Sequence, residues 1–481
     1  MTQADRAAGV LLGQACGDAL GVPYEFGPAL DDAFEPRMAG GGPFGFAPGE
    51  YSDDTAMAVC IAEVARSGAD LTSADALDQI AQRFLDWAAG AKDVGTQTRA
   101  VFAETRHGTG PVGTRMREAS QALAMAQPGR VGNGALMRTA IVALSRVRDR
   151  DATAAAARSV AMLTHADPLG LDSCVLWTEA VRVAVTTGEL DLLGGLDLVP
   201  ESRRERWRQW IDEATGVDPR RFDRNGYTVW ALQAAWAAIT WTPVPSDDPA
   251  SHFAAALANA VRTGDDTDTV AAIAGGLLGA RWGWSAVPLD WSRRVHGYGG
   301  HRARGLVALS LRTLNRGRID GDGWPDAPHL DSHAYRSAPP TLVPHPHDAG
   351  VLLGTVTSPP HGCDAVISLC RIGADDVAPP GVEPIDHVEV RLVDTEDPAE
   401  NPHLAHVLAD VAAQVQRFRA DGKTVFLHCV AAQNRTPSAA IAYSRLLGVP
   451  AEQAAAELLA VLPDARGRGL LWTTAAAVEP T

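Results

Sequence analysis

The chain has six cysteines (Cys16, Cys60, Cys174, Cys363, Cys370, Cys429) but no Cys-x-x-Cys pair. That leaves no disulfide framework to read and fits a reducing, cytoplasmic compartment. It has no uninterrupted apolar run as long as a membrane span, and its first residues, MTQADRAAGVLLGQACGDAL, lack a basic segment ahead of an apolar core. A soluble protein with no membrane role is the expectation. Positive charge is scarce: 42 Lys and Arg stand against 58 Asp and Glu, a net charge of −16 at pH 7. Such a field repels phosphate-rich surfaces, which excludes a general nucleic-acid or membrane-surface binder. It does not exclude a phosphorylated or nucleotide-like substrate, because a metal and a few arginines reverse the sign locally. With 481 residues, 46% of them apolar, the chain has room for more than one core.

Strand-like runs are few before residue 315 or so. Ala- and Leu-rich segments with helical spacing recur instead, at Ala74–Ala89, Ala140–Arg146, Ala154–Leu163, Ser173–Val185, Val229–Ile239 and Gly305–Leu314. The pattern predicts an all-α bundle over residues 1–315, with Glu201–Arg224 as an exposed inserted helix and loop. Residues 316–347 lose all periodicity and read as a linker. Its histidines (His329, His333, His345, His347) read as solvated loop residues. From 348 to 475 short strands alternate with helices: Val351–Val356, Ala365–Leu369, Val388–Leu392 and Val425–His428, with helices at Leu404–Arg419 and Ser438–Leu447. That alternation predicts a small α/β domain with a central, mostly parallel sheet, and hence a multidomain chain.

Two acidic clusters carry the chemistry of the first part: Ser52-Asp53-Asp54-Thr55 and Asp265-Asp266-Thr267-Asp268-Thr269. Each precedes an apolar helix, Ala56–Ala65 and Val270–Ala280. Asp and Thr often merely cap helices. Carboxylates this dense repel one another unless a cation neutralises them, and oxygen-only ligation favours Mg²⁺ or Mn²⁺. Two such clusters in one chain predict a binuclear site. Gly132-Asn133-Gly134 is a small polar turn suited to cradling a phosphate or sugar. Thr164-His165-Ala166-Asp167 places an imidazole beside a carboxylate, and Glu25 follows the exit of the first helix.

Taken together, AGVLLGQACGDALGVPYEF, EYSDDTAMAV, GNGALMR, LTHADP, GYTVWALQAAWAA and AVRTGDDTDTVAAIAGGLLGA resemble the ADP-ribosylglycohydrolases, in the family's order, over residues 7 to about 315. The resemblance implies an all-α fold with two Mg²⁺ (or Mn²⁺) ions in a central cleft. Ser52, Asp53, Asp54, Asp266, Asp268 and Thr269 would hold the metals, and Glu25 would be the acidic residue near the distal ribose. Asn133, Gly134 and His165 would line the ADP-ribose cleft. Hydrolysis of a glycosidic bond needs a stabilised oxocarbenium-like centre, an activated water and help for the leaving group. The residues leave open which carboxylate is the base. The partner would be an ADP-ribosylated protein or small molecule.

The second motif is Val425-Phe426-Leu427-His428-Cys429-Val430-Ala431-Ala432-Gln433-Asn434-Arg435-Thr436-Pro437. An apolar strand runs into a loop, and a helix is expected to open at Thr436. Cysteine at the start of the loop and arginine at its end suit a phosphate-binding turn, with backbone N–H groups and a helix N-terminus facing the anion. Residues 348 to about 470 resemble the cysteine-dependent protein tyrosine and dual-specificity phosphatases. That likeness implies a nucleophile at Cys429, a phosphate grip at Arg435, a sulfur-bonding hydroxyl at Thr436 and a general acid at Asp394, with Asp397 as the alternative. No cofactor is implied there, and the substrate would be phosphorylated. Ala432 departs from the pattern, which has Gly there, and a Cβ would strain the loop if φ is positive. Cys363 and Cys370 read as core residues. The alternative is that this domain only binds phosphate or targets the hydrolase.

Overall fold

The computed structural model describes residues 2–319, 339–358, 361–371 and 381–479. His329 and His333 lie outside these residues.

The first part is helical. It comprises α1 (Gln3–Gly21), α2 (Asp53–Ala65), α3 (Ala74–Ala88), α4 (Thr96–Thr105), α5 (Val112–Ala126), α6 (Arg150–Ala161) and α7 (Pro168–Thr187). Then follow α8 (Glu201–Ala214), α9 (Thr228–Trp241), α10 (His252–Val261), α11 (Thr267–Trp282), α12 (Leu289–Arg294) and α13 (Ala303–Leu314). The helix expected at 140–146 is a 3-10 turn, Ala140–Leu144.

At the centre, α1 and α11 run antiparallel in close contact. Gly9, Gly13 and Gly17 recur every fourth residue on one face of α1. An added Cβ would collide with the carbonyl oxygen of Gly279 at Gly9, of Gly275 at Gly13 and of Ala271 at Gly17, and at Gly21 with the Asp268 backbone. Glycine inside a helix costs about 1 kcal/mol against alanine. Here that cost permits backbone-to-backbone approach of two helices that carry acidic residues. Both helices are buried over nearly their whole length.

Helix α8 is exposed along its outer face, as expected of an insertion, but is anchored on its inner face. Trp207 is fully buried, its Nε1 donates to Asp172 Oδ2 at 3.1 Å, and Arg203 pairs with the same buried carboxylate. Its polar composition reflects only the outer face.

The C-terminal region holds β1 (Leu342–His345), β2 (Asp348–Thr355), β3 (Ala365–Ser368), β4 (His387–Glu389), α14 (Leu404–Ala420), β5 (Val425–Cys429), α15 (Arg435–Leu446), α16 (Ala451–Val461) and α17 (Leu470–Ala476). The five-stranded sheet has the order β1-β2-β5-β3-β4. The pair β1–β2 is antiparallel; the other pairs are parallel.

The linker reading is corrected at its end. β1 and the turn to β2 occupy 342–347, and neither histidine there is a solvated loop residue. His345 is buried with its ring nitrogen 3.1 Å from Ala440 O, and His347 lies between Ser444 Oγ (2.9 Å) and Glu457 Oε2 (2.8 Å). An edge strand this short has no periodicity to detect. Cys363 and Cys370 are buried, as the sequence led us to expect.

The two parts meet along a polar and apolar seam. Leu289 of α12 packs into the C-terminal core, and its N–H donates to Asp410 Oδ2 at 2.8 Å. Arg304 of α13 faces Glu389 at 3.5 Å, and His406 faces Asp248 at 3.0 Å.

Candidate functional site

The packing of α1 on α11 brings three chain segments to one point. Ligand oxygens of Asp18, Asp54 and Asp268 lie within 4.8 Å of one another, and so do those of Glu25, Asp266 and Asp268. Asp268 belongs to both groups. Ser52 Oγ donates to Asp54 Oδ2 at 3.0 Å, and Thr269 Oγ1 donates to Asp54 Oδ1 at 2.9 Å. Asp53 is buried at the start of α2, beside Asp93, Asp18 and Asp266. Of the six expected ligand residues, Asp54, Asp266 and Asp268 stand in these two groups, Asp53 stands in neither, and Ser52 and Thr269 direct their hydroxyls at Asp54.

The cluster concentrates buried carboxylates. Burial, then mutual repulsion, holds Asp53, Asp54 and Asp268 well above the usual carboxylate range. Glu25 is pushed to about 9 by burial and by the charges of Asp266, Asp93, Asp53 and Asp18. Among the described residues no Lys or Arg forms an ion pair with any of them, and Glu25 Oε2 is buried without a hydrogen-bond partner. An all-oxygen donor set without a protein counter-charge fits hard divalent ions.

Two residues that the sequence reading left unassigned build this arrangement. Asp18 accepts hydrogen bonds from Ser52 N and Thr55 N, so it fixes the first turn of α2. Its position in the Gly17–Gly21 motif was the available signal. Asn225 accepts from Asp266 N at 2.9 Å and donates to Gly264 O at 3.0 Å, holding the turn in which Asp265 takes a φ of +57°. Nothing local to Asn225 marks that role.

The acidic floor opens into a cleft of about 880 Å³ lined by Glu25, Phe26, Phe44, Asp93, Asn133, Gly134, His165 and Tyr227, among others. Asn133 Nδ2 bridges Asp266 Oδ2 (2.8 Å) and Asn225 O (2.9 Å). His165 Nδ1 is 2.8 Å from Thr164 Oγ1, and its Nε2 faces Gly132 and Gly134. Burial, reinforced by Arg138, lowers its pKa to about 3, so the ring is neutral. Asp93, also unassigned from sequence, stands at the cleft wall with its pKa raised, chiefly by burial.

A model of the ADP-ribosylglycohydrolase family matches residues 1–319. The chain belongs to the ADP-ribosylglycohydrolase family. ADP-ribosylarginine hydrolase Tri1 of Pseudomonas putida (strain GB-1) is 31% identical over 299 residues, covering 60% of this chain and 74% of the relative. ADP-ribosyl-[dinitrogen reductase] glycohydrolase of Rhodospirillum rubrum is 28% identical over 298 residues, covering 60% and 90%. ADP-ribosylhydrolase ARH3 of Homo sapiens is 26% identical over 336 residues, covering 61% and 90%. A solved ADP-ribosylglycohydrolase-related protein complex superposes with a TM-score of 0.50 at 27% identity, over 66% of this chain and 99% of that one. In this chain the acidic clusters sit where α1, α11 and the start of α2 meet.

The second constellation lies at the carboxyl end of the sheet, where parallel α/β folds place their sites. Cys429 is the last residue of β5, and α15 opens at Arg435, one residue before the expected start. Ala432 has a φ of +53°, in the left-handed region that a Cβ disfavours. Asn434 Nδ2 donates to Asp394 Oδ1 at 2.7 Å, and Arg466 pairs with the same oxygen at 3.1 Å. Arg435 Nη1 donates to Leu392 O at 3.3 Å, which brings the arginine beneath the segment bearing Asp394. Thr436 Oγ1 donates to Gly354 O at 3.5 Å rather than to the Cys429 sulfur, which corrects the expected hydroxyl–sulfur bond. Asp397 instead caps its own turn, accepting from Ala399 N. Asn434 Oδ1, Arg435 Nε and Ser438 Oγ are buried without hydrogen-bond partners. Among the described residues no helix is long and apolar enough to cross a membrane.

Proposed function

We propose that the helical part hydrolyses the glycosidic bond of ADP-ribosylated arginine, with Mg²⁺ or Mn²⁺ as cofactor. The observation that carries this reading is the double carboxylate group sharing Asp268 on the floor of the cleft. Membership of the family and relatives that bear the name ADP-ribosylarginine hydrolase support it. The acidic lining also suits a guanidinium leaving group, which is cationic. Asp54, Asp266 and Asp268, with Asp53 and the hydroxyls of Ser52 and Thr269, would hold two ions. Divalent ions held there would supply positive charge that polarises the substrate and the attacking water. Glu25 orients that water and handles its proton. Asn133 positions Asp266 and, with Gly134 and neutral His165, holds the ADP-ribose moiety by hydrogen bonds.

For the C-terminal region we propose a second domain that hydrolyses phosphate monoesters. Cys429 Sγ attacks phosphorus while the bond to the leaving oxygen breaks, and Asp394 gives that oxygen its proton. Water then attacks the phosphocysteine, Asp394 takes back a proton, and orthophosphate leaves. The Arg435 guanidinium, whose Nε has no partner, and the unpartnered Ser438 hydroxyl would donate to the phosphate oxygens. The observation favouring this reading is that Cys429, Arg435 and the segment bearing Asp394 come together at the carboxyl end of the central strand β5.

Two assays test the proposals. ADP-ribose release from arginine- and serine-modified peptides should require Mg²⁺, favour arginine and vanish in Asp266→Ala/Asp268→Ala. Turnover of an aryl phosphate should vanish in Cys429→Ser. Phosphate binding without turnover would make the C-terminal region a binding module.

A further inference from the structure

The loop that carries Asp394 is anchored to the helical part. Arg391, only 8% exposed, stands at its base and reaches three partners. Its Nε lies 3.6 Å from Asp5 Oδ1, its Nη1 donates to Glu400 O at 2.5 Å, and its Nη2 donates to Thr2 Oγ1 at 3.4 Å. Asp5 is itself held: Ser285 Oγ and N donate to its carboxylate at 2.6 and 3.2 Å. Asp5 and Thr2 form the first turn and cap of α1, on the far side of the seam between the two parts. Asn401 closes the same loop, accepting from Val393 N at 2.9 Å and donating to Val393 O at 2.8 Å. One guanidinium thus ties both ends of the Asp394 loop to a fixed carboxylate of the other part.

We infer that Asp5, in the helical part, is a positioning residue for the phosphatase chemistry of the C-terminal part, acting through Arg391 to hold the Asp394 loop over the Cys429 site. This rests on the phosphatase reading above. A buried charge pair that also satisfies a backbone carbonyl and a hydroxyl is costly to break on one side only, because the other charge is left uncompensated. Without Asp5, the guanidinium is drawn away from Glu400 O toward other acceptors, and the loop loses one of its two clamps. Asp394 is then delivered to the leaving oxygen less often. The loss falls on substrates that need the proton: a phenolate that leaves poorly depends on the acid, whereas one that leaves readily does not.

The test uses the full chain with phenyl phosphate and p-nitrophenyl phosphate. Asp5→Asn is nearly isosteric and touches no atom near Cys429; Arg391→Met removes the other partner, and Arg391→Lys keeps the charge but cannot span all three contacts. ADP-ribose release by the helical part should be unchanged in all of them, which shows that the fold survives. Asp5→Asn and Arg391→Met should lower kcat on phenyl phosphate about tenfold, a part of the roughly 10²–10⁴-fold that a positioned general acid contributes. Turnover of p-nitrophenyl phosphate and KM for both substrates should change little, and Arg391→Lys should recover part of the loss. If the variants keep the wild-type ratio between the two substrates, the inference is overturned. If the wild-type chain hydrolyses neither phosphate, or Cys429→Ser matches it, the phosphatase reading falls and takes this inference with it.

Discussion

Asp18 accepts the backbone N–H of Ser52 at 2.8 Å with one carboxylate oxygen and that of Thr55 at 3.0 Å with the other. A single side chain on α1 therefore sets where Asp53 and Asp54 stand, while the glycine face of the same helix sets where Asp268 stands. Asn at position 18 keeps one acceptor and turns an amide toward the remaining N–H. Asp18→Asn should cost about 1–3 kcal/mol, the penalty of an unsatisfied buried group. It should also weaken Mg²⁺ affinity, and calorimetric titration together with urea denaturation checks both effects.

Asp268 lies in both carboxylate groups, with its pKa raised chiefly by burial and then by Asp54, Glu25 and Asp266. A buried carboxylate whose folded pKa lies above its unfolded value opposes folding at neutral pH. Asp268→Asn should therefore raise the melting temperature in chelator. It should also abolish the stabilisation that Mg²⁺ gives the wild type, which at a hundredfold excess over Kd amounts to about 2.7 kcal/mol. Thermal melts of both proteins with and without Mg²⁺ give the comparison.

Close approach of α1 and α11 depends on the small residues between them. Gly13→Ala places a methyl against Gly275 O. Overpacking of this kind costs about 1–3 kcal/mol, and separation of the helices should impair metal binding as well. Gly90, whose added Cβ meets nothing within 4 Å, is the control position; Gly90→Ala should leave both properties unchanged.

Acid should destabilise the C-terminal region. Burial lowers His345 and His387 to about 4 and His428 to about 3. The folded state refuses protons that the unfolded chain accepts near pH 6.5. Their stability is thus complete above that pH and is lost as pH falls toward 4, by roughly 1.4 kcal/mol per pH unit for each histidine. Glu389, raised to about 7 by burial, works in the opposite sense and offsets one of the three. Denaturant unfolding followed at Trp472, the tryptophan packed in the C-terminal core, should show a lower midpoint at pH 5 than at pH 7.5.

Ala432→Gly should stabilise the Cys429 loop. At a φ of +53° the Cβ costs about 1–2 kcal/mol, which glycine relieves. A higher urea midpoint is the expected result.

Much of the acidic cleft floor was legible in the sequence because most of its carboxylates come as contiguous clusters at helix starts, where short-range pattern and local structure coincide. The strands β2, β3 and β5 were legible for the same reason: each is an apolar run bounded by turns. What could not be read depends on partners distant in sequence. Asp18 acquires its role only when α1 meets the start of α2, and Asn225 only when its turn meets Asp266. Arg391 pairs with Asp5 across nearly the whole chain. His345 looked solvated because its stretch is polar, yet the fold lays it on α15 beside Ala440.

If the carboxylates around Asp268 hold the ions that release of ADP-ribose needs, that release must depend on both the ion and those side chains. The most direct test is the initial rate of release from an arginine-ADP-ribosylated peptide during Mg²⁺ titration of chelator-treated wild type and Asp54→Ala/Asp268→Ala. No release without the ion, a saturable return of activity in the wild type, and none in the variant at any Mg²⁺ concentration are the outcomes expected of this metal-dependent role. Equal rates in chelator and in Mg²⁺, or a variant as active as the wild type, would contradict it.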